Sequence, residues 1–265
     1  GGDLPGWLSF NGATRTFSGT PVNGDVGTLS IEVIANDGNG GTITDTFNIV
    51  VANTNDAPTV ANAIPNQNAT EDAAFNFQFA GNTFSDEDVG NTLTYTAQLA
   101  GGGALPAWLS FDAATRTFSG TPGDANAGTM SIDVIANDGN GGTVTDTFNI
   151  VVSAVNDAPT ITAPGSISIN EDASGALSGI SFSDVDAGTG PVTVTLSVPS
   201  GSLAATSASG VTVGGTASAM TLSGGISDIN AFIAASGVRF TTASNATSNV
   251  TLTVAINDGG NSGSG

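Results

Sequence analysis

The chain has 265 residues with 23 acidic side chains against three arginines (Arg15, Arg116, Arg239), no lysine and no histidine, a formal charge of −20. Such a surface repels nucleic acid and anionic membranes, so its natural partners are cations. With no cysteine, disulfides and zinc–thiolate sites are excluded, and with neither His nor Lys the usual general bases and activated nucleophiles are missing too, so no enzyme is expected.

The 37 glycines and 10 prolines cut the apolar residues into short alternating runs, none long enough to span a bilayer. Gly1 opens no signal-peptide pattern, so a soluble segment is expected, with any export signal outside it. A Lys–Asn isopeptide brace is also excluded, and a string of small domains with neither crosslink needs another source of rigidity. Bound metal is the obvious candidate.

Residues 1–58 align with 102–159 without a gap at a constant offset of 101: Trp7 with Trp108, Arg15 with Arg116, Phe47 with Phe148, Pro58 with Pro159. Such internal repetition fixes the architecture before any single motif does. Three units follow: 1–57, 58–157 and 158–265. The first has no counterpart of residues 58–101, so it reads as the later part of a domain.

In the second unit, 74–79 and 93–99 alternate apolar and polar residues at period two, the mark of strands buried on one face. Residues 105–111 lead to 115–122, a strand stopped by Gly120 and Pro122. Residues 130–134 and 147–152 are expected to form the final hairpin, with Asp138 to Gly142 as its turn. About seven short strands in ~100 residues is an immunoglobulin-like sandwich. The fold class is all-β, with sandwiches arranged end to end. Trp7 and Trp108 read as core rather than as sugar-stacking platforms. Asp45 and Asp146 share a strand face with Phe47 and Phe148 and read as strand-end residues reaching solvent.

The third unit alternates at Ile167 and Ile169, 177–182, and 192–198. Residues 227–234 read as one short helix with Ser227 as N-cap and Ile229, Phe232 and Ile233 on one side. Residues 250–256 read as a strand whose partner is missing after Asp258. The incomplete end units read as cuts from a longer repetitive chain; completion by strands from neighbouring molecules is the alternative.

Three short motifs gather around each unit boundary. Asn55-Asp56-Ala57-Pro58 and Asn156-Asp157-Ala158-Pro159 mark the linkers; Asp86-Glu87-Asp88 and Asp184-Val185-Asp186 lie in loops; Asn137-Asp138-Gly139 and Asn257-Asp258-Gly259 lie at hairpin turns. One such motif alone is turn chemistry. Together they supply carboxylates and amides in the mixture that calcium accepts, six to eight oxygens at about 2.3–2.6 Å. Asp3, Asp25, Asp112, Asp124 and Asp228 read only as solubilising charge.

Leu105 to Phe111, Thr117 to Pro122, Asn137-Asp138-Gly139 and Asn156 to Pro159 resemble the dystroglycan-type cadherin-like domain, and residues 1–58 resemble its later part. Asn170-Glu171-Asp172, Ser183 to Asp186 and the Ser227 to Ala234 segment resemble another cadherin-like repeat, one of very large secreted bacterial adhesins. The resemblance implies calcium at the domain junctions. Residue by residue, it assigns Asn55, Asp56, Asp86, Asp88 and Asp138 to the first junction and Glu71, Asn156, Asp157, Asp184, Asp186 and Asp258 to the second. Asp37 and Glu171 serve the junctions before and after. The linkers depart from the cadherin Asp-x-Asn-Asp-Asn pattern at Asn53, Ala57, Ala154 and Ala158, which implies fewer than three ions per junction.

The function expected is a calcium-stiffened structural or adhesive stalk of an extracellular, cell-surface protein, its partners being calcium and neighbouring repeats of the same chain. The alternatives are a carbohydrate-binding module and a repeating filament subunit, whose partners are glycans or other copies of itself.

Overall fold

The computed structural model describes residues 2–88 and 90–260. Every strand ladder closes within one of three stretches of chain. The first holds β1 (Leu8–Asn11), β2 (Thr16–Gly19), β3 (Gly27–Asn36) and β4 (Thr42–Val51), paired as two antiparallel hairpins.

The second stretch contains β5 (Thr59–Val60), β6 (Gln67–Thr70), β7 (Phe75–Gln78), β8 (Phe84–Ser85), β9 (Thr94–Leu99), β10 (Leu109–Asp112), β11 (Thr117–Gly120), β12 (Gly128–Asn137) and β13 (Thr143–Ser153). Two sheets, ordered β10-β11-β7 and β6-β13-β12-β9, face one another across a single core. Phe118 on β11 and Phe148 on β13 meet in the middle, edge to face, with ring centroids 5.5 Å apart. Both are essentially inaccessible, at 0% and 1% exposure. The hairpin β12–β13 extends the expected 130–134 and 147–152 to ten paired positions, turning at Asp138 to Gly142.

The third stretch contains β14 (Thr160–Thr162), β15 (Ser174–Ala176), β16 (Ser181–Ser183), β17 (Val192–Ser197), β18 (Ser202–Ala204), β19 (Val211–Thr216), β20 (Ala219–Gly224), α1 (Ile226–Ala234), β21 (Arg239–Thr241) and β22 (Thr253–Asn257). Its sheets, β15-β21-β18 and β19-β20-β17-β22, enclose a second core that α1 covers with Ile229 and Ile233, both buried.

Several local expectations are corrected. Gly225, not Ser227, occupies the N-cap of α1, and no side chain caps the helix; Ser227 lies inside the first turn. Ile167 and Ile169 lie outside any strand, although both pack on the core. Their counterpart β6 is held by a parallel ladder to β13, and no such partner exists for them among the described residues. For the same reason the last strand begins at Thr253 rather than Val250.

Trp108 is half-buried at the rim of the core, edge-on to Phe75 at 6.1 Å, rather than inside it. Asp146 does not reach for solvent: its carboxylate accepts the Ile64 N–H at 2.6 Å and pins the segment leading into β6. Asp45 does stay exposed on its strand. Phe47 likewise is 40% exposed where its equivalent Phe148 is 1%, because residues 59–99 cover Phe148 and nothing equivalent covers Phe47 among the described residues.

Candidate metal centres at the two junctions

The linkers leave β4 and β13 as extended chain, and their backbone polar groups are taken up by carboxylates. At the first junction the Asp56 N–H donates to Asp88 Oδ2 at 2.8 Å. The Asn55 amide donates to Asp138 Oδ2, also at 2.8 Å. Asp88 N–H in turn donates to Asp86 Oδ1 at 2.8 Å, so Asp-x-Asp closes as a turn on its own first carboxylate. These bonds link all five residues expected at this junction through the linker, although among the described residues no three of its acids bring their oxygens within 4.8 Å of one another.

Asp138 is held at the mouth of the β12–β13 hairpin. Its carboxylate accepts the N–H groups of Asn140 at 2.7 Å and Gly142 at 2.9 Å. The Asn55 amide, the largest influence, holds its carboxyl below the usual range against desolvation, which comes second, and these backbone donors add to the lowering. Gly142 is required here, since a Cβ on it would lie 2.8 Å from Ala57 Cα of the passing linker. Asp37 makes the same turn in the first unit, accepting Asn39 and Gly41 N–H, and is exposed.

The second junction repeats the two bonds that tie linker to loop in the first. Asp157 N–H donates to Asp186 Oδ2 at 2.9 Å, and Asp186 N–H donates to Asp184 Oδ1 at 3.2 Å. Asp258 lies below the usual carboxylate range because the Gly260 N–H and then the Asn156 amide donate to it. Glu71, only 2% exposed, accepts the Val155 N–H at 2.9 Å, and so clamps the start of the linker to the unit it leaves. Glu171 is exposed at the corresponding place in the third unit.

Buried carboxylate oxygens with no hydrogen-bond partner sit in both places: Asp88 Oδ1 at the first junction, Asp157 Oδ2, Asp184 Oδ2 and Asp186 Oδ1 at the second. Asp88 and Asp186 are 5% and 2% exposed. An ionised oxygen removed from water and given no donor is costly unless a cation meets it. Burial first, then the neighbouring Asp186, pushes the Asp184 carboxyl up. The donors are all oxygen and mostly carboxylate, which fits a hard cation such as calcium.

The second junction also holds two residues that the sequence reading left as solubilising charge or unremarked. Asp72, Asp124 and Asp157 bring one carboxylate oxygen each within 4.8 Å of one another. Desolvation, then Asp124, Asp72 and Asp186 in turn, raise the Asp157 carboxyl. Asp72 sits in the left-handed region at φ 56°, as does Asp172 at φ 55°, its counterpart after Glu171. That recurrence of Glu-Asp at an offset of 100 was the available signal.

Residues 1–52 and 57–153 match the family model described as "Putative Ig domain". The chain belongs to this Ig-domain family. The break between the two Ig-domain matches falls on residues 53–56, the linker that carries Asn55 and Asp56.

Among curated relatives, the "Serine-rich adhesin for platelets" of Staphylococcus aureus strain USA300 is 31% identical over 163 residues, 62% of this chain and 7% of the adhesin. The protein of the same name from strain MRSA252 is 31% identical, over 62% of this chain and 11% of its own length. This Ig-domain chain therefore spans a small fraction of the relatives it matches.

Solved structures with likeness to it include protocadherin gamma B2 extracellular cadherin domains 1–5, at 14% identity, 82% of this chain, 43% of that chain and a TM-score of 0.45. An endo-fucoidan hydrolase of glycoside hydrolase family 107 is 21% identical over 97% of this chain and 37% of that chain, with a TM-score of 0.33. Among the described residues, no helix is long and apolar enough to cross a membrane.

Proposed function

We propose that the chain is a segment of an adhesive array on a cell surface, in which calcium locks each linker between domains at 1–57, 58–157 and 158–265 and turns them into a stiff spacer. The observation that carries this reading is the recurrence of one arrangement at both junctions. In each, a linker Asp N–H is held by the second carboxylate of an Asp-x-Asp loop, the N–H of that second Asp closes on the first carboxylate, and a buried carboxylate oxygen of the loop is left without a donor. Asn55, Asp56, Asp86, Asp88 and Asp138 would hold calcium at the first; Glu71, Asn156, Asp157, Asp184, Asp186 and Asp258 at the second.

Calcium supplies the positive charge that the unpartnered oxygens lack, and the linkers cannot then swing without breaking its coordination. The likeness to a named staphylococcal adhesin supports the adhesive and extracellular part. The scarcity of cations in the chain supports the rest, since three arginines cannot neutralise 23 acids.

Small-angle scattering of the 265-residue chain with excess calcium and with chelator tests the reading. A rod-like distance distribution that broadens and shortens on chelation is expected. Identical profiles in both conditions, with no calcium bound in equilibrium dialysis, would overturn it.

A further inference from the structure

The two junctions are not chemically equal: Glu87 of the first loop is matched by Val185 in the second, and Asn23 beside the first linker by Asp124 beside the second. Asn23 of the first unit aligns with Asp124 of the second at the repeat offset, each opening a short 3-10 turn after Gly-Thr-Pro. The roles within the turn are exchanged with them. Asp25 accepts the Val22 N–H at 2.9 Å in the first turn, and Asn126 accepts the Gly123 N–H at 2.9 Å in the second. Either order caps the turn, so the turn itself does not decide where the acid stands.

The consequence is felt at the linker. The Asn23 amide donates to Asp56 Oδ2 at 2.7 Å and to Glu87 Oε2 at 3.0 Å, bridging two carboxylates with a neutral donor. Asp124, in the same place one repeat later, brings a third carboxylate to Asp72 and Asp157 instead. Asp157 Oδ2 there is buried and accepts nothing. Beside it Asp186, 2% exposed, spends Oδ2 on the Asp157 N–H and leaves Oδ1 unpartnered. One junction satisfies its outer acids with an amide; the other has acids and orphaned oxygens where that amide would stand.

We propose that the junction at 156–159 holds a calcium ion on Asp72, Asp124 and Asp157, and that Asp124, standing where the first unit has Asn23, decides its binding. The proposal rests on the reading of the junctions as calcium sites and deepens it. Stiffening of the second linker then depends on an ion whose place beside the linker Asp is taken at the first by the Asn23 amide.

Equilibrium dialysis and isothermal titration with calcium, at about 0.15 M salt to screen the general acidity, compare the 265-residue chain with D124N, N23D and D186N. D124N is expected to bind one ion fewer than the parent chain. Because its new amide can donate to Asp157 as Asn23 does to Asp56, its melting temperature without calcium should rise. N23D, which sets a third carboxylate beside Asp56 and Glu87, should bind one ion more and melt lower without calcium.

Unchanged stoichiometry and affinity in D124N would overturn the proposal. Failure of the underlying reading looks different: the parent chain itself binds no calcium. D186N separates the two, since it weakens the second junction's loop site whether or not the extra ion exists. Circular dichroism checks that each variant keeps its strands.

Discussion

The amide of Asn55 donates to Asp138 Oδ2 across 2.8 Å, so a linker residue is tied to a hairpin turn 83 positions later in the chain. That bond fixes the direction in which the linker enters the second unit. Its disruption has a calculable sign. N55A leaves the turn itself intact, because Asn140 and Gly142 N–H still hold Asp138. Calcium affinity at the first junction should fall roughly 10- to 100-fold, the usual cost of losing a supporting contact to a ligand. Titration of N55A in a D186N background reads the first junction.

Asp88 and Asp186 carry a prediction whose sign reverses with calcium. Each keeps an unpartnered oxygen buried. D88N and D186N retain an acceptor for the linker N–H but remove the charge. Without calcium both variants should melt higher than the parent; with saturating calcium both should melt lower. For the parent, calcium at about 100 times its dissociation constant stabilises by about 2.7 kcal/mol per site, enough to raise the melting temperature of a ~100-residue domain by about 10 °C or more. A calorimetric series in both conditions checks this.

The pH profile follows from two opposed sets of carboxyls. Burial raises Asp157 and Asp184, with neighbouring acids adding to it. A carboxyl raised by folding opposes the fold while ionised, so in calcium-stripped protein the penalty is present at neutral pH and is relieved as pH falls through the raised value. Asp37, Asp112, Asp138 and Asp258 are lowered by hydrogen bonds. Their contribution is present above the ordinary carboxylate value of about 4 and is lost as pH falls through their lowered values. The melting temperature of the calcium-stripped chain should rise as pH falls from 7 toward the ordinary carboxylate value of about 4, and fall again below it. With calcium present the first limb inverts, because protons compete with the ion.

Phe148 and Phe47 occupy the same repeat position with different cover. Phe148→Ala should destabilise the second unit by about 3–5 kcal/mol, the range for a fully enclosed ring. Phe47→Ala should cost roughly 1–2 kcal/mol, since a large part of its surface already meets water. Denaturant melts of the two variants, read separately by the fluorescence of Trp7 and Trp108, would distinguish them. Equal losses would show that something covers Phe47 in solution.

The all-β architecture was legible because alternation at period two and Gly-Pro punctuation are local signals, and the repeat doubled every one of them. The β12–β13 hairpin is the best case: its turn chemistry and its register are both written within 26 residues. The junction acids of the linker, loop and turn were legible for the same reason, each being one of three short motifs. The gathering at Asp124 was not, because nothing near it in sequence distinguishes it from a solvated charge. Only folding brings it within 4.8 Å of Asp72 and Asp157. Ser227 failed as a cap for an opposite reason. The backbone turns into the helix at Gly225, two residues earlier, which leaves Ser227 inside the first turn. Ile167 and Ile169 alternate as a strand does, yet a ladder needs a partner that alternation cannot report.

Each junction draws its parts from both sides: Glu71, Asp72 and Asp124 come from the unit before the linker, Asp184, Asp186 and Asp258 from the unit after it. Residues 1–58 recur as 102–159 at an offset of 101, so a hairpin turn and the linker that follows it travel together in one copied block. On the proposed reading, copying that block carries the turn of one joint and the linker of the next to a new boundary in a single event.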